Sequence, residues 1–124
     1  MAPILERAYA RYGIAGARVE MVQVTDAAAA AADFRRALAE MERAPTTQLA
    51  LNFAAATVYG DGDYGHFSPA AAYDADRGRL LVLDVDRDWH EPYWVPIEIM
   101  LKAMATASRK DGTPRGYLRV SLAG

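Results

Sequence analysis

Among 124 residues there are two histidines and no cysteine, so the search for chemistry begins at His66. It stands in GHFSP, between an acidic, glycine-rich stretch and a run of small residues that suits a strand. An imidazole so placed has the right side-chain type for a general base. A base needs a group to activate, and this chain holds no thiol for it. The carboxylate that folding would bring to it is Asp84. His66 opens one predicted strand (66–73), Asp84 ends the next (79–85), and DADRG (74–78) turns the chain between them. With the turn centred on Asp76, Asp84 lies opposite Ser68 and within reach of His66. A carboxylate beside an imidazole fixes its tautomer and stabilises the imidazolium, although the same pair also serves as a plain structural hydrogen bond. A slip of one residue would send the two to opposite faces of the sheet.

Other chemistry-bearing residues are less organised. Asp61, Asp63 and His66 spell D-x-D-x-x-H, but a calcium loop would want glycine and an acid where His66 and Ala72 stand. A solvated acidic turn explains them without a ligand. His90 could join His66 at a zinc ion, yet no local ligand spacing supports that, and an exposed loop histidine accounts for it. Arg87, between Asp86 and Asp88, reads as a surface ion pair, and Trp89, Tyr93 and Trp94 as a binding wall or as packing. Ser68 is too close to His66 on one strand to act as a nucleophile. Tyr9, Tyr12, Tyr59 and Tyr64 fall into no pattern.

The elements that must position these residues follow from periodicity. A short helix spans 2–12, with Ile4, Ala8 and Tyr12 on one face, and Gly13 and Gly16 end it. ARVEMVQV (17–24) alternates as a strand. Thr25 or Asp26 caps an alanine-rich helix through Arg43, with Phe34, Leu38 and Met41 on one side, and Pro45 stops it. TQLALNF (47–53) is a strand and residues 54–65 a loop. RLLVLDV (79–85) reads as a strand buried on both faces, followed by the loop DRDWHEPYW. Pro96 starts a helix to Ala107 with Ile99 or Met100 and Ala103 inward, and residues 116–122 close the chain as a strand. The order α-β-α-β-β-β-α-β predicts one α+β domain over 1–124 with a mostly antiparallel sheet.

Composition narrows the function classes. The apolar fraction is 52% and the formal charge −2, from 14 basic and 16 acidic residues mixed along the chain. No basic footprint for nucleic acid or an anionic membrane exists. The longest apolar run, 27–32, is too short to span a bilayer, and no leader-like segment opens the sequence. A cytoplasmic location is the expectation.

Several short motifs in one order carry a resemblance. GHFSP followed by Tyr73, then LLVLDVDR, PYWVP, AM and RGYL resemble the pattern of phytochelatin synthases, as do GARVE and DFRRAL upstream. The likeness covers essentially the whole chain. Phytochelatin synthases are papain-like cysteine transpeptidases whose thiolate attacks glutathione, releases glycine and passes the γ-glutamylcysteinyl group to another glutathione or to water. The resemblance implies catalytic roles for His66 and Asp84 and a substrate-binding role for Arg87. It implies the His-bearing lobe of a papain-like fold, glutathione or a similar small molecule as ligand, and cadmium or zinc thiolates as participants, while the sequence itself requires no cofactor.

The departures from the pattern are specific. The family's nucleophilic cysteine belongs to a half that would precede this chain, an arginine expected before GHFSP is Ala56, and the segment after Arg87 reads DWHEP. Two expectations follow. In one, a second chain supplies the cysteine lobe and an apolar face beside His66 is exposed. In the other, the chain is an inactive binding or self-associating module, whose face a homodimer or local repacking covers.

Overall fold

A computed structural model describes residues 2–11, 16–60, 65–85, 90–107, 112 and 114–122. Helix α1 (Ala2–Arg11) leads into strand β1 (Arg18–Gln23), helix α2 (Ala27–Arg43) and strand β2 (Thr47–Ala54). A short helix α3 (Ala55–Tyr59) follows, then strands β3 (Gly65–Asp74), β4 (Arg79–Val82) and β5 (Tyr93–Pro96), helix α4 (Ile97–Met104) and strand β6 (Gly116–Ser121). Six strands form one antiparallel sheet in the order β1-β6-β2-β3-β4-β5. The fold class is the α+β architecture expected from the sequence.

Local chemistry accounts for most boundaries. Asp26 caps α2 by accepting from the Ala29 N–H, and alanine carries the helix until Ala44 leaves helical geometry ahead of Pro45. Phe34 and Leu38 are fully buried and Met41 packs at the margin. Helix α4 buries Met100 and Ala103, whereas Ile99 faces outward. Together α2 and α4 cover one face of the sheet, over Leu49, Leu51, Phe53, Leu80, Val82 and Val95. Gly116 has no tolerance for a side chain, because a Cβ there would stand 1.9 Å from the Val22 carbonyl oxygen of β1. That close backbone approach is the physical reason for the glycine in RGYL.

Four expectations need correction. Residues 54–65 are not all loop: β2 runs straight into α3, which the left-handed Gly60 (φ 86°) ends. The aromatic loop contains strand β5, an edge strand, where Pro96 removes no ladder hydrogen bond from a neighbour. Strand β4 is shorter than predicted and buried on one face only, since Leu83 and Val85 are exposed. Ile4 of α1 is exposed as well, and Tyr12 lies outside the described residues.

The hairpin that carries the candidate pair contains an irregularity. Near its turn, Asp74 pairs with Arg79, Tyr73 with Leu80 and Ala72 with Leu81, but Ala70 pairs with Val82. Ala71 is therefore left over as a β-bulge. Beyond it the ladder continues with the Leu83 N–H donating to the Pro69 carbonyl. The turn begins in a register that would place Asp84 on the face away from His66, and the bulge exchanges the faces.

Candidate functional site

The bulge puts His66, Ser68 and Ala70 on the face that also carries Val82 and Asp84, the face under the helices. His66 Nε2 lies 2.8 Å from Asp84 Oδ1. The Asp84 side chain is 0% exposed and the imidazole 13%. Nε2 donates to the carboxylate, which leaves the lone pair of the neutral ring on Nδ1 and makes Nδ1 the basic nitrogen. Ser68 is buried one step further in, and its Oγ accepts from the Val85 N–H at 3.3 Å. That bond holds the backbone after Asp84 and gives the serine a structural task.

The second carboxylate oxygen is occupied by residues that the sequence did not mark. Tyr93 of β5 donates to Asp84 Oδ2 at 2.8 Å, and Tyr59 at the end of α3 donates to the same oxygen. The two phenol oxygens lie 2.6 Å apart. Two protons serve these three contacts, so the tyrosines either both donate to Asp84 or relay through each other. Burial, followed by the contacts with Tyr59 and Asp84, pushes the Tyr93 phenol above its ordinary range. It stays a neutral donor throughout the physiological range. Among the described residues no buried side-chain nitrogen or oxygen lacks a partner.

Aromatic rings wall the pair. Phe53 of β2 meets the His66 ring edge-on at 5.6 Å, and Tyr59 meets it at 6.1 Å. His90 stacks flat on Tyr59, with centroids 4.3 Å apart and an 11° angle between the planes. It is half-buried in that stack rather than an exposed loop histidine. A groove of about 710 Å³ opens behind the stack, lined by Tyr59, His90, Tyr93, Trp94 and Ile99 among others. Trp94 is exposed, with the Arg79 guanidinium 4.4 Å above its ring, so of the two readings, wall or packing, packing in the core does not hold for it.

Of the three predicted site residues, the structure brings His66 and Asp84 together. Arg87 lies outside the described residues, as do Trp89, Asp61 and Asp63. Among the described residues no group of three potential ligands is arranged to hold a metal ion. No helix among them is long and apolar enough to cross a membrane. Tyr59 was missed although a signal existed: three alanines before it favour a helical turn, and Gly60 after it suits the left-handed end of one. Tyr93 had a signal too, since YWV is a β-forming triplet.

The sequence matches known proteins along most of its length. A family model described as phytochelatin synthase matches residues 8–117. Glutathione gamma-glutamylcysteinyltransferase 3 of Lotus japonicus is 46% identical over 57 residues, which is 46% of this chain and 12% of that protein. Glutathione gamma-glutamylcysteinyltransferase 1 of Arabidopsis thaliana is 40% identical over 57 residues, with the same two shares. The glutathione gamma-glutamylcysteinyltransferase of Schizosaccharomyces pombe is 30% identical over 86 residues, 69% of this chain and 20% of that protein. The matched region is thus a fifth or less of each of these relatives.

Proposed function

This chain belongs to the phytochelatin synthase family, and on that premise we propose that it supplies the general base and its orienter for γ-glutamylcysteinyl transfer, with the nucleophilic cysteine on another chain. The observation that carries the proposal is the 2.8 Å bond between His66 Nε2 and a fully buried Asp84 carboxylate. In this reading Nδ1 of His66 takes the proton of the partner's thiol, and the thiolate attacks the carbonyl carbon of the cysteinyl–glycine bond of glutathione. The C–N bond breaks, and the imidazolium returns its proton to the departing glycine amine. The γ-glutamylcysteinyl thioester passes to a second glutathione or to water, which restores the thiol. Asp84 stabilises the imidazolium between the two proton transfers.

The substrate class is glutathione or a related γ-glutamyl thiol peptide, free or as a cadmium or zinc thiolate, in keeping with a role in metal detoxification. Arg87 holds a substrate carboxylate, for which a guanidinium is suited. The two-chain arrangement is that of a papain-like enzyme divided between its lobes. The apolar face that the structure leaves exposed is not beside His66: Leu83 (44% exposed), Val85 (62% exposed), Met21 and Trp94 lie on the face of the sheet opposite the one that carries His66 and Asp84. Exposed apolar side chains at several positions of one sheet face suit an interface with a partner.

A second reading, an inactive self-associating module, is favoured by Ala56, which is exposed on α3 where the family pattern has an arginine. In that reading a second copy covers the same face. Purification of the tagged chain from its native cell, with intact-mass identification of what accompanies it, separates the two. A stoichiometric cysteine-bearing partner that restores glycine release from glutathione, lost again in His66→Ala, is the expected result. Recovery of this chain alone, or as a homodimer inert towards glutathione, rejects catalysis and supports the module.

A further inference from the structure

A buried carboxylate keeps its charge only if donors replace the water it has lost. Asp84 meets them from three separate elements: His66 of β3 at Oδ1, and Tyr59 of α3 and Tyr93 of β5 at Oδ2. The histidine bond alone would leave the carboxylate able to swing about its Cβ–Cγ bond. Two hydroxyls on the far oxygen remove that freedom and aim Oδ1 at Nε2. They also draw charge towards Oδ2, which tempers the pull that Oδ1 exerts on the imidazole.

The tyrosines are themselves held in place. Gly60 ends α3 directly after Tyr59, His90 stacks on one face of that ring, and Phe53 meets its edge at 6.3 Å. Tyr93 is fixed by the ladder, opposite Val82 on β4. Among the described residues, charged groups nearby include Glu91, which lines the groove beyond His90, and Arg115 beside Gly65. The Arg115 guanidinium is tied to Thr106 Oγ1 at 2.8 Å and to the Ala107 carbonyl at 3.0 Å.

We infer that Tyr59 and Tyr93 are positioning residues of the His66–Asp84 pair: their hydroxyls set the orientation and charge of Asp84, and through it the tautomer and basicity of His66. The catalytic meaning of this rests on the reading above, but its test needs no partner. Tyr59→Phe, Tyr93→Phe and the double variant keep both rings and delete only the hydroxyls. In the isotope-labelled full chain, the imidazole nitrogen and carbon shifts of His66 are followed by NMR across its titration, with backbone spectra reporting the fold.

In the parent protein the neutral form of the His66 imidazole is expected to carry its proton on Nε2, towards Asp84. Each single variant should raise the imidazole protonation constant about threefold, because less of the Asp84 charge is drawn away from it. The double variant should raise it further and show mixed tautomers. Should the double variant not fold, the two single variants decide the matter. An unchanged constant and tautomer in folded variants, or a constant that falls, overturns the inference. Such a result beside a working cysteine-bearing partner defeats the positioning role alone. The expected shifts without any such partner defeat the catalytic reading alone.

Discussion

Strands β1, β6 and β2 form one half of the sheet and β3, β4 and β5 the other, with the same antiparallel pairing in both. The first half keeps one register from Arg18 to Gln23 and from Thr47 to Asn52 against β6. The second half breaks register at Ala71 and carries His66, Ser68 and Tyr93, with Asp84 just beyond the end of β4, while Phe53, Tyr59 and His90 reach the site from outside it. Regular pairing spreads the work over many backbone hydrogen bonds, and its cross-strand ion pair, Glu20 with Arg119, lies at the solvent-exposed surface. The irregular half gives up a ladder position and gains a carboxylate pointed at an imidazole. The difference teaches that the scaffold is specified by apolar pattern, and the site by a departure from it.

The contrast is broken most forcefully from the regular side. Gly116→Val puts a side chain where the Val22 carbonyl stands, and β1 must separate from β6. The expected loss is about 3 kcal/mol or more, read as a lower urea midpoint, with the site lost only because the fold is lost. Deletion of Ala71 tests the other side. Stability should change by about 1 kcal/mol. With Ala71 gone the ladder runs unbroken from the turn with Ser68 opposite Asp84, so the His66–Asp84 coupling should persist in NMR. Loss of that coupling in a folded deletion variant would show that the shape of the bulge, beyond the register it restores, is what joins them.

The smallest effect sharpens the comparison at high pH. The Tyr93 phenol is held above its unfolded value, which lies near 10. Its contribution to stability is therefore fully present below pH 10 and is lost as the pH rises beyond it, because the unfolded chain gives up the proton first. Tyr117, in the regular half, is raised as well, chiefly by burial. Tyr93→Phe should make the alkaline fall in stability shallower without abolishing it, as followed by circular dichroism from pH 9 upward. A fall as steep as that of the parent would assign alkaline unfolding to the regular half.

Much of the scaffold was legible because its signals are local. The Asp26 cap, the alanine helix and the alternating strands each declare themselves within a few residues, and so does the DADRG turn. The nearness of His66 and Asp84 was also legible, since two strand ends beside one hairpin must meet. The bulge was not, because nothing in GHFSPAAAY distinguishes Ala71 from its neighbours. Which alanine is left over is decided by packing, with Tyr73 and Leu80 together on the core side near the turn and Ala70 and Val82 beyond it. Tyr59 escaped for the opposite reason. Its glycine-rich surroundings spoke for a loop, while the single turn of α3 that carries it is too short to show a helical period.

The left-over Ala71 also sets an arithmetic for how this hairpin can change length over evolutionary time. While the bulge is kept, an insertion or deletion of a single residue between Ala71 and His66 on one arm, or Arg79 and Asp84 on the other, reverses the side on which one partner emerges. Lengths in those arms drift by even steps, or by odd steps taken on both arms together, except where a single deletion in the β3 arm takes the bulge with it. The turn itself, from Ala75 to Gly78, lies outside the paired residues and is exempt. Related sequences that keep the histidine and the aspartate should accordingly vary freely in turn length and obey parity in the arms.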